Sequence, residues 1–432
     1  MGRHGVSNHT SAATLRPASS VDRVLQPDRP MLVRVVVRFL RSAAVLSAVL
    51  AVVPPAGAAP RPAPLAVRSA RVPTDSTDAA LARQIDAILR PLADSGRFSG
   101  VVLVAQGGRV RFERAYGLAS VELGVPNTPA TRFRLHSITK QFTAAAVLQL
   151  VARRRVALDA PVHAYLPELP SAWRGVTVHQ LLTHTSGIPD VEDVWADSLI
   201  TRGGARLLEN LARVAPALAG VAPSAAPGAT WRYNNFGYDL LACVVERASG
   251  RPFAEYLAAE VFGPAGMTDA GVDARAEGGG YVASAVVPRL ASGYNGGPVQ
   301  LQGAAPRSFA QPGAGSVYAT ARDLWRYDQA LTRGLVVPAA EQRVGVERAF
   351  RLSARGAYGY GWIVTRAAAD TAAYFLHHSG GNNGYVSEYA RYPREGAAIV
   401  VLANRNVAEP EALRGAISAL LFGDRYPMPR RP

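Results

Sequence analysis

The hydrophobic period of this chain changes twice along its length, and the order of those changes constrains the fold more than any other feature. Residues 78–92 carry Leu81, Ile85, Ile88 and Leu92 at helical spacing. Residues 101–105, the pair Gly107-Gly108 and residues 110–112 then read as a hairpin. Between about 155 and 285 the pattern is helical, with helices predicted over 177–183, 205–218, 236–249 ahead of Gly250, and 253–262 just after Pro252. From about 357 short strands return, at 360–365, 374–378, 385–392 and 397–403, and a last helix follows over 411–421. Pro393-Arg394-Glu395-Gly396 turns the chain between the last two strands. Strands at both ends of a chain can bury their apolar faces together by joining one sheet. The fold class predicted is therefore α+β: an antiparallel sheet flanked by helices, drawn from residues 77–154 and 286–432, with an all-helical domain inserted over 155–285.

The 432 residues are 49% hydrophobic and 18% charged, as in a globular protein with a sizeable core. A net charge of +15 raises the question of nucleic acid, yet seven arginines and two aspartates in the first 59 residues supply five of those charges. The remaining arginines are scattered, with no basic helix, RNP-like aromatic motif or zinc-finger spacing to organise a groove reader, so nucleic acid is not expected as a partner. A basic exterior instead favours an anionic cell envelope. The single cysteine, Cys243, sits in an apolar helical stretch and reads as a buried structural thiol.

Arg34, Arg38 and Arg41 precede the apolar run 43–53, which ends in Pro54-Pro55-Ala56-Gly57-Ala58-Ala59. That is the charged, apolar and small-residue order of a secretory signal, and the run is too short to span a bilayer comfortably. The expectation is an exported protein, periplasmic or secreted, with translation starting at Met31, residues 1–30 a mis-called extension, and residues 60–76 a Pro/Arg/Ala/Val linker. A single signal-anchor helix is the alternative.

Among 47 basic residues, Lys140 is the only lysine. Ser137 lies three positions before it, where a polar segment gives way to helical spacing over 141–151, so both side chains share a helix face. A serine hydroxyl needs a base at neutral pH, and lysine can deprotonate where arginine cannot. The backbone N–H groups at such a helix start suit a developing oxyanion. A second candidate is Tyr233-Asn234-Asn235, where the Tyr233 phenol can share proton movement with Lys140 and the Asn235 amide can orient a substrate carbonyl. The third is His378-Ser379-Gly380-Gly381, on a strand running into glycines: His378 and Ser379 are candidate substrate contacts, and the Gly381 N–H a second oxyanion donor beside that of Ser137. Each feature has a plainer reading, as a helix-capping serine, a loop tyrosine with a capping asparagine, or a strand-end histidine. His377 points to the opposite strand face from His378, which disfavours a two-histidine metal site.

Together, S-x-x-K, Y-x-N and H-x-G in this order resemble the active-site triplet of the serine β-lactamase and penicillin-binding-protein superfamily. Leu181-Leu182-Thr183-His184-Thr185-Ser186-Gly187, Tyr233 to Tyr238, and Gly315 to Leu324 are similar to segments of its class C branch, and the likeness extends over roughly residues 80–425. The resemblance implies an α/β sandwich with a helical domain, a site between the two, no metal and no cofactor. His378 stands where class C β-lactamases have lysine, which is similar to D-alanyl-D-alanine carboxypeptidases and β-lactamase-related hydrolases. No counterpart of the class A deacylating glutamate and no G-x-S-x-G elbow is present. The expected function is an exported serine hydrolase that forms an acyl-enzyme on Ser137 and cleaves a small-molecule or peptide substrate, a D-amino-acid peptide or peptidoglycan fragment. A carboxylesterase or β-lactamase on the same scaffold, and a non-catalytic envelope-binding or sensor domain, are the alternatives.

Overall fold

In the computed structural model, residues 76–426 are described except 193, 197, 199–205, 274–286, 296–310, 368, 369, 371 and 383. The expected signal segment and residues 60–75 of the expected linker lie outside them, as do parts of the loops around the site. The first helix, α1 (Ser76–Asp94), buries Leu81, Ile85 and Leu89 along one stripe. Strands β1 (Gly100–Gln106) and β2 (Arg109–Tyr116) follow, joined through Gly107 and Gly108 at φ of 60° and 75°, the backbone that a two-residue hairpin turn demands. Short strands β3 (Leu118–Ser120), β4 (Val125–Pro126) and β5 (Phe133–Arg134) lead to α2 (Thr139–Ala152).

The helical stretch holds α3 (Val178–Leu182), started by a Thr177/Gln180 capping box, then α4 (Leu207–Leu218) and α5 (Asn235–Ser249), which Gly250 ends in the left-handed conformation. The helix predicted over 253–262 is α-helical only at Phe253–Tyr256 and widens to a π-helix over Leu257–Phe262. Beyond it come β6 (Gly271–Val272), β7 (Val317–Ala319), α6 (Ala321–Thr332) and α7 (Ala339–Glu347). The chain closes with β8 (Phe350–Arg351), β9 (Gly356–Tyr358), β10 (Ile363–Arg366), β11 (Tyr374–Asn382), β12 (Tyr385–Tyr392), β13 (Ala397–Ala403) and α8 (Pro410–Phe422).

Eight strands form one antiparallel sheet in the order β2-β1-β13-β12-β11-β10-β9-β8, so the last long strand lies between the first and the penultimate ones. The α+β class expected from the sequence is borne out. Period-two alternation divides the core into two layers. Val102, Val104, Ile399 and Val401 face α1 and α8, whereas Val101, Leu103, Val400 and Leu402 join a second cluster with α2 and α5.

Two departures from the predicted strands shape the site. The strand expected at 360–365 begins only at Ile363. Gly361 at φ 77° turns the chain there, and a Cβ on it would lie 2.6 Å from the Lys140 carbonyl oxygen. The strand expected at 374–378 runs on to Asn382, yet β10 pairs only with its Tyr374–His377 half, so residues 378–382 pair with β12 alone among the described strands.

Candidate active site

Ser137 lies in a single 3-10 turn, His136–Ile138, that runs directly into α2. The turn is anchored from outside: Leu135 N–H donates to the Val317 carbonyl at 2.9 Å, and Val317 N–H donates to Thr139 Oγ1 at 3.0 Å. His136 takes φ 47°, an uncommon conformation for a residue with a side chain. Burial, with Arg134 and Lys140 nearby, holds its pKa down at about 3, so the ring beside Ser137 stays neutral. Ser137 itself remains part-exposed.

One turn on, Lys140 is fully buried and its ammonium has three acceptors: Ser137 Oγ at 3.3 Å, Asn235 Oδ1 at 2.8 Å and the Ala314 carbonyl at 3.0 Å. Its Nζ also lies 4.7 Å from the Tyr233 ring centroid and 5.6 Å from that of Tyr238. The structure thus brings Ser137, Lys140 and Asn235 into direct contact, with Tyr233 stacked over the ammonium.

Tyr233 and Asn235 are delivered by the start of α5. Asn234 is the N-cap, its Oδ1 accepting from Gly237 N–H at 2.7 Å, and the Asp190 carboxylate accepts from the N–H groups of Asn235 and Phe236. Asn235 turns its Nδ2 to Glu192 Oε2 at 2.8 Å, and Gln311 Nε2 donates to the same carboxylate. An amide has two N–H groups, so Asn235 can hold Glu192 and still offer a donor to a substrate carbonyl.

The third segment packs against the Ser137 turn. Ser387 Oγ donates to Leu135 O at 3.1 Å, and a Cβ on Gly380 would lie 2.0 Å from that same oxygen, so β11 can come this close only with glycine there. Gly381 is exposed and Ser379 part-exposed, on the stretch that β10 leaves uncovered. His378 is buried, its ring 6.3 Å from that of Tyr233. Its Nδ1 donates to the Ser379 carbonyl at 2.6 Å and its Nε2 accepts from the Tyr358 hydroxyl at 3.0 Å. Burial and the Lys140 charge hold its pKa at about 3. His378 is therefore a neutral ring that fixes the strand edge and carries no charge toward an anionic group.

Chemically, this arrangement puts Lys140 Nζ within hydrogen-bond reach of Ser137 Oγ for proton transfer, with the Tyr233 ring beside it, and offers an open strand edge near the hydroxyl. The residues that the motifs do not reveal are Ala314, which contributes only a carbonyl, Glu192, Gln311 and Tyr358. His184 belongs to the segment Leu181 to Gly187, where its sequence setting marks no role for it.

Comparison with known proteins identifies the family. The family model described as Beta-lactamase matches residues 85–423. A penicillin-binding protein of Bacillus subtilis (strain 168) is 28% identical over 382 residues, 81% of this chain and 78% of the relative. Esterase EstB of Burkholderia gladioli is 43% identical over 212 residues, 45% of this chain and 53% of the relative. The crystal structure of a penicillin-binding protein from Bacillus halodurans superposes with a TM-score of 0.65 at 29% identity, covering 77% of this chain and 98% of that one. All three segments of the site fall inside the matched region, and the chain belongs to the beta-lactamase family of serine hydrolases.

Proposed function

We propose that this chain is an exported hydrolase that cleaves an amide or ester through an acyl-enzyme on Ser137, with a D-amino-acid peptide or peptidoglycan fragment as substrate. The observation that carries the proposal is the buried Lys140 ammonium held between Ser137 Oγ and Asn235 Oδ1. In the form of the coupled Lys140–Tyr233 pair that carries one proton fewer, Ser137 Oγ attacks the carbonyl carbon, its proton is taken up by the pair and delivered to the leaving nitrogen or oxygen, and the C–N or C–O bond breaks. Water then attacks the acyl carbon, gives up a proton by the same route, and frees the acid and Ser137. The N–H groups of Ser137 and Gly381 stabilise the oxyanion, Asn235 holds the acyl-side amide, and the edge at His378 and Ser379 takes the rest of the substrate.

An esterase is the second reading, favoured by the 43% identity to esterase EstB and by the neutral His378, which offers no charge to the terminal carboxylate of a peptide. The purified protein incubated with a fluorescent penicillin, and separately with a fluorophosphonate, tests both. A penicilloyl adduct on Ser137, absent in Ser137→Ala, supports the peptidase reading; fluorophosphonate labelling alone, with fast p-nitrophenyl ester turnover, supports the esterase. Turnover retained in Ser137→Ala overturns the acyl-enzyme. Mass spectrometry of the native N-terminus tests both export and the start at Met31: a mature start near residue 60 supports export, an uncleaved N-terminus contradicts it, and a peptide from residues 5–25 contradicts the Met31 start.

A further inference from the structure

A segment that takes no part in the chemistry above runs beside the Tyr233 loop and holds it at successive points. Ser224 N–H donates to Gly187 O at 2.8 Å, Gly228 N–H to Thr185 O at 2.7 Å, and Arg232 N–H to His184 O at 2.9 Å. Asn234 N–H donates to His184 Nδ1 at 3.1 Å, and Asn234 Nδ2 to Ile188 O at 2.9 Å. His184 reaches both sides of Tyr233, with its carbonyl on the preceding N–H and its ring on the following one. The same ring lies 4.4 Å from the Tyr233 ring, centroid to centroid, and 4.5 Å from that of Tyr358, whose hydroxyl holds His378.

The backbone of His184 is a second and independent observation. It stands just past Thr183, the C-cap of α3, at φ 58°, the left-handed position at a helix end where glycine, or else asparagine, is usual. A histidine there accepts a conformation that its side chain disfavours, in a position 2% exposed. Because Nδ1 accepts from a backbone N–H, the ring proton is on Nε2, and among the described residues Nε2 has no hydrogen-bond partner. The ring is thus committed to its Nδ1 acceptor and to its packing on Tyr233. Burial, with Lys140 and His378 nearby, keeps it neutral.

We propose that His184 is a positioning residue: by holding the backbone on both sides of Tyr233 and packing on its ring, it fixes the phenol over the Lys140 ammonium, without touching substrate. This rests on the acyl-enzyme reading, in which Tyr233 moves the proton.

The test measures ester turnover and the acylation burst for His184→Ala, His184→Asn and His184→Gln, each alone and combined with Tyr233→Phe. Asparagine tolerates the left-handed backbone and places an oxygen where Nδ1 sits, while glutamine carries the same amide one bond too far. Expected are a fall in kcat of about 100-fold for His184→Ala and His184→Gln, KM within about twofold, and recovery to within about fivefold in His184→Asn. With Tyr233→Phe already present, His184→Ala costs no further activity, because the two act as one unit. Should His184→Ala fail to fold, the asparagine and glutamine pair decides by itself. Losses that multiply across the double variants, a change confined to KM, or asparagine no better than glutamine overturns the proposal while the acyl-enzyme stands. Turnover in Ser137→Ala overturns both.

Discussion

At the scale of the residue, the site is governed by one buried ammonium. Lys140→Arg keeps the charge but cannot deprotonate, and its planar fork does not match three acceptors gathered around a single nitrogen. Its kcat on an ester is expected to fall about 100-fold or more and not to recover between about pH 5 and pH 10; a rate near that of the unmodified enzyme counts against the role of Lys140. Three buried histidines surround this centre, with His136 and His378 held at about 3 and His184 well below its ordinary value. Each takes up a proton on unfolding once the pH drops below about 6.5, whereas the native ring does not, so stability rises with pH through that window. For His136 and His378 the loss is about 1.4 kcal/mol each per pH unit as pH falls toward 3, and His184 acts in the same direction. Urea unfolding at pH 7 and pH 5 measures this, and equal stabilities would exclude it. The residues that the sequence revealed are those whose type is rare in its setting: the lone lysine, the tyrosine two places before an asparagine, the histidine two places before a glycine. Ala314, Glu192 and Tyr358 carry no such mark, because a carbonyl or a neighbour from a distant segment acquires its role only through folding.

Among the elements, those with a long run of one period were readable. α1, α5, α8, β12 and β13 fall within one or two residues of the pattern, since each buries a stripe or an alternating face. β8 and β9 are too short to show a period. The second half of β11 reads Ser379-Gly380-Gly381-Asn382 and has no strand propensity; pairing with β12 makes it a strand. Gly380 belongs to this scale because it sets how close β11 comes to the Ser137 turn. In Gly380→Ala the added carbon would sit 2.0 Å from Leu135 O, so strand or turn must move. A stability loss of about 1–3 kcal/mol is expected, with slower acylation of Ser137 by fluorophosphonate. Labelling at the unmodified rate would show that the two elements yield independently.

For the whole molecule, the sequence foretold a sheet from both ends of the chain but not its strand order, because any of the long strands could have taken the centre. The structure places β13 between β1 and β12, paired along its full length with each. A chain ending at residue 395 therefore loses the middle of its sheet and is expected to show neither cooperative melting nor fluorophosphonate labelling; a labelled truncation would mean that the remaining strands close up. The same sheet gives one of its strands two grades of protection. Leu376 and His377 of β11 have strand partners on both edges, while the amides facing away from β12 beyond them do not. Deuterium should enter the second group from the native state and the first only through wider opening. A substrate or inhibitor laid along that edge would supply the missing partner and slow exchange there, so occupancy could be followed as mass on a few peptides with no turnover at all.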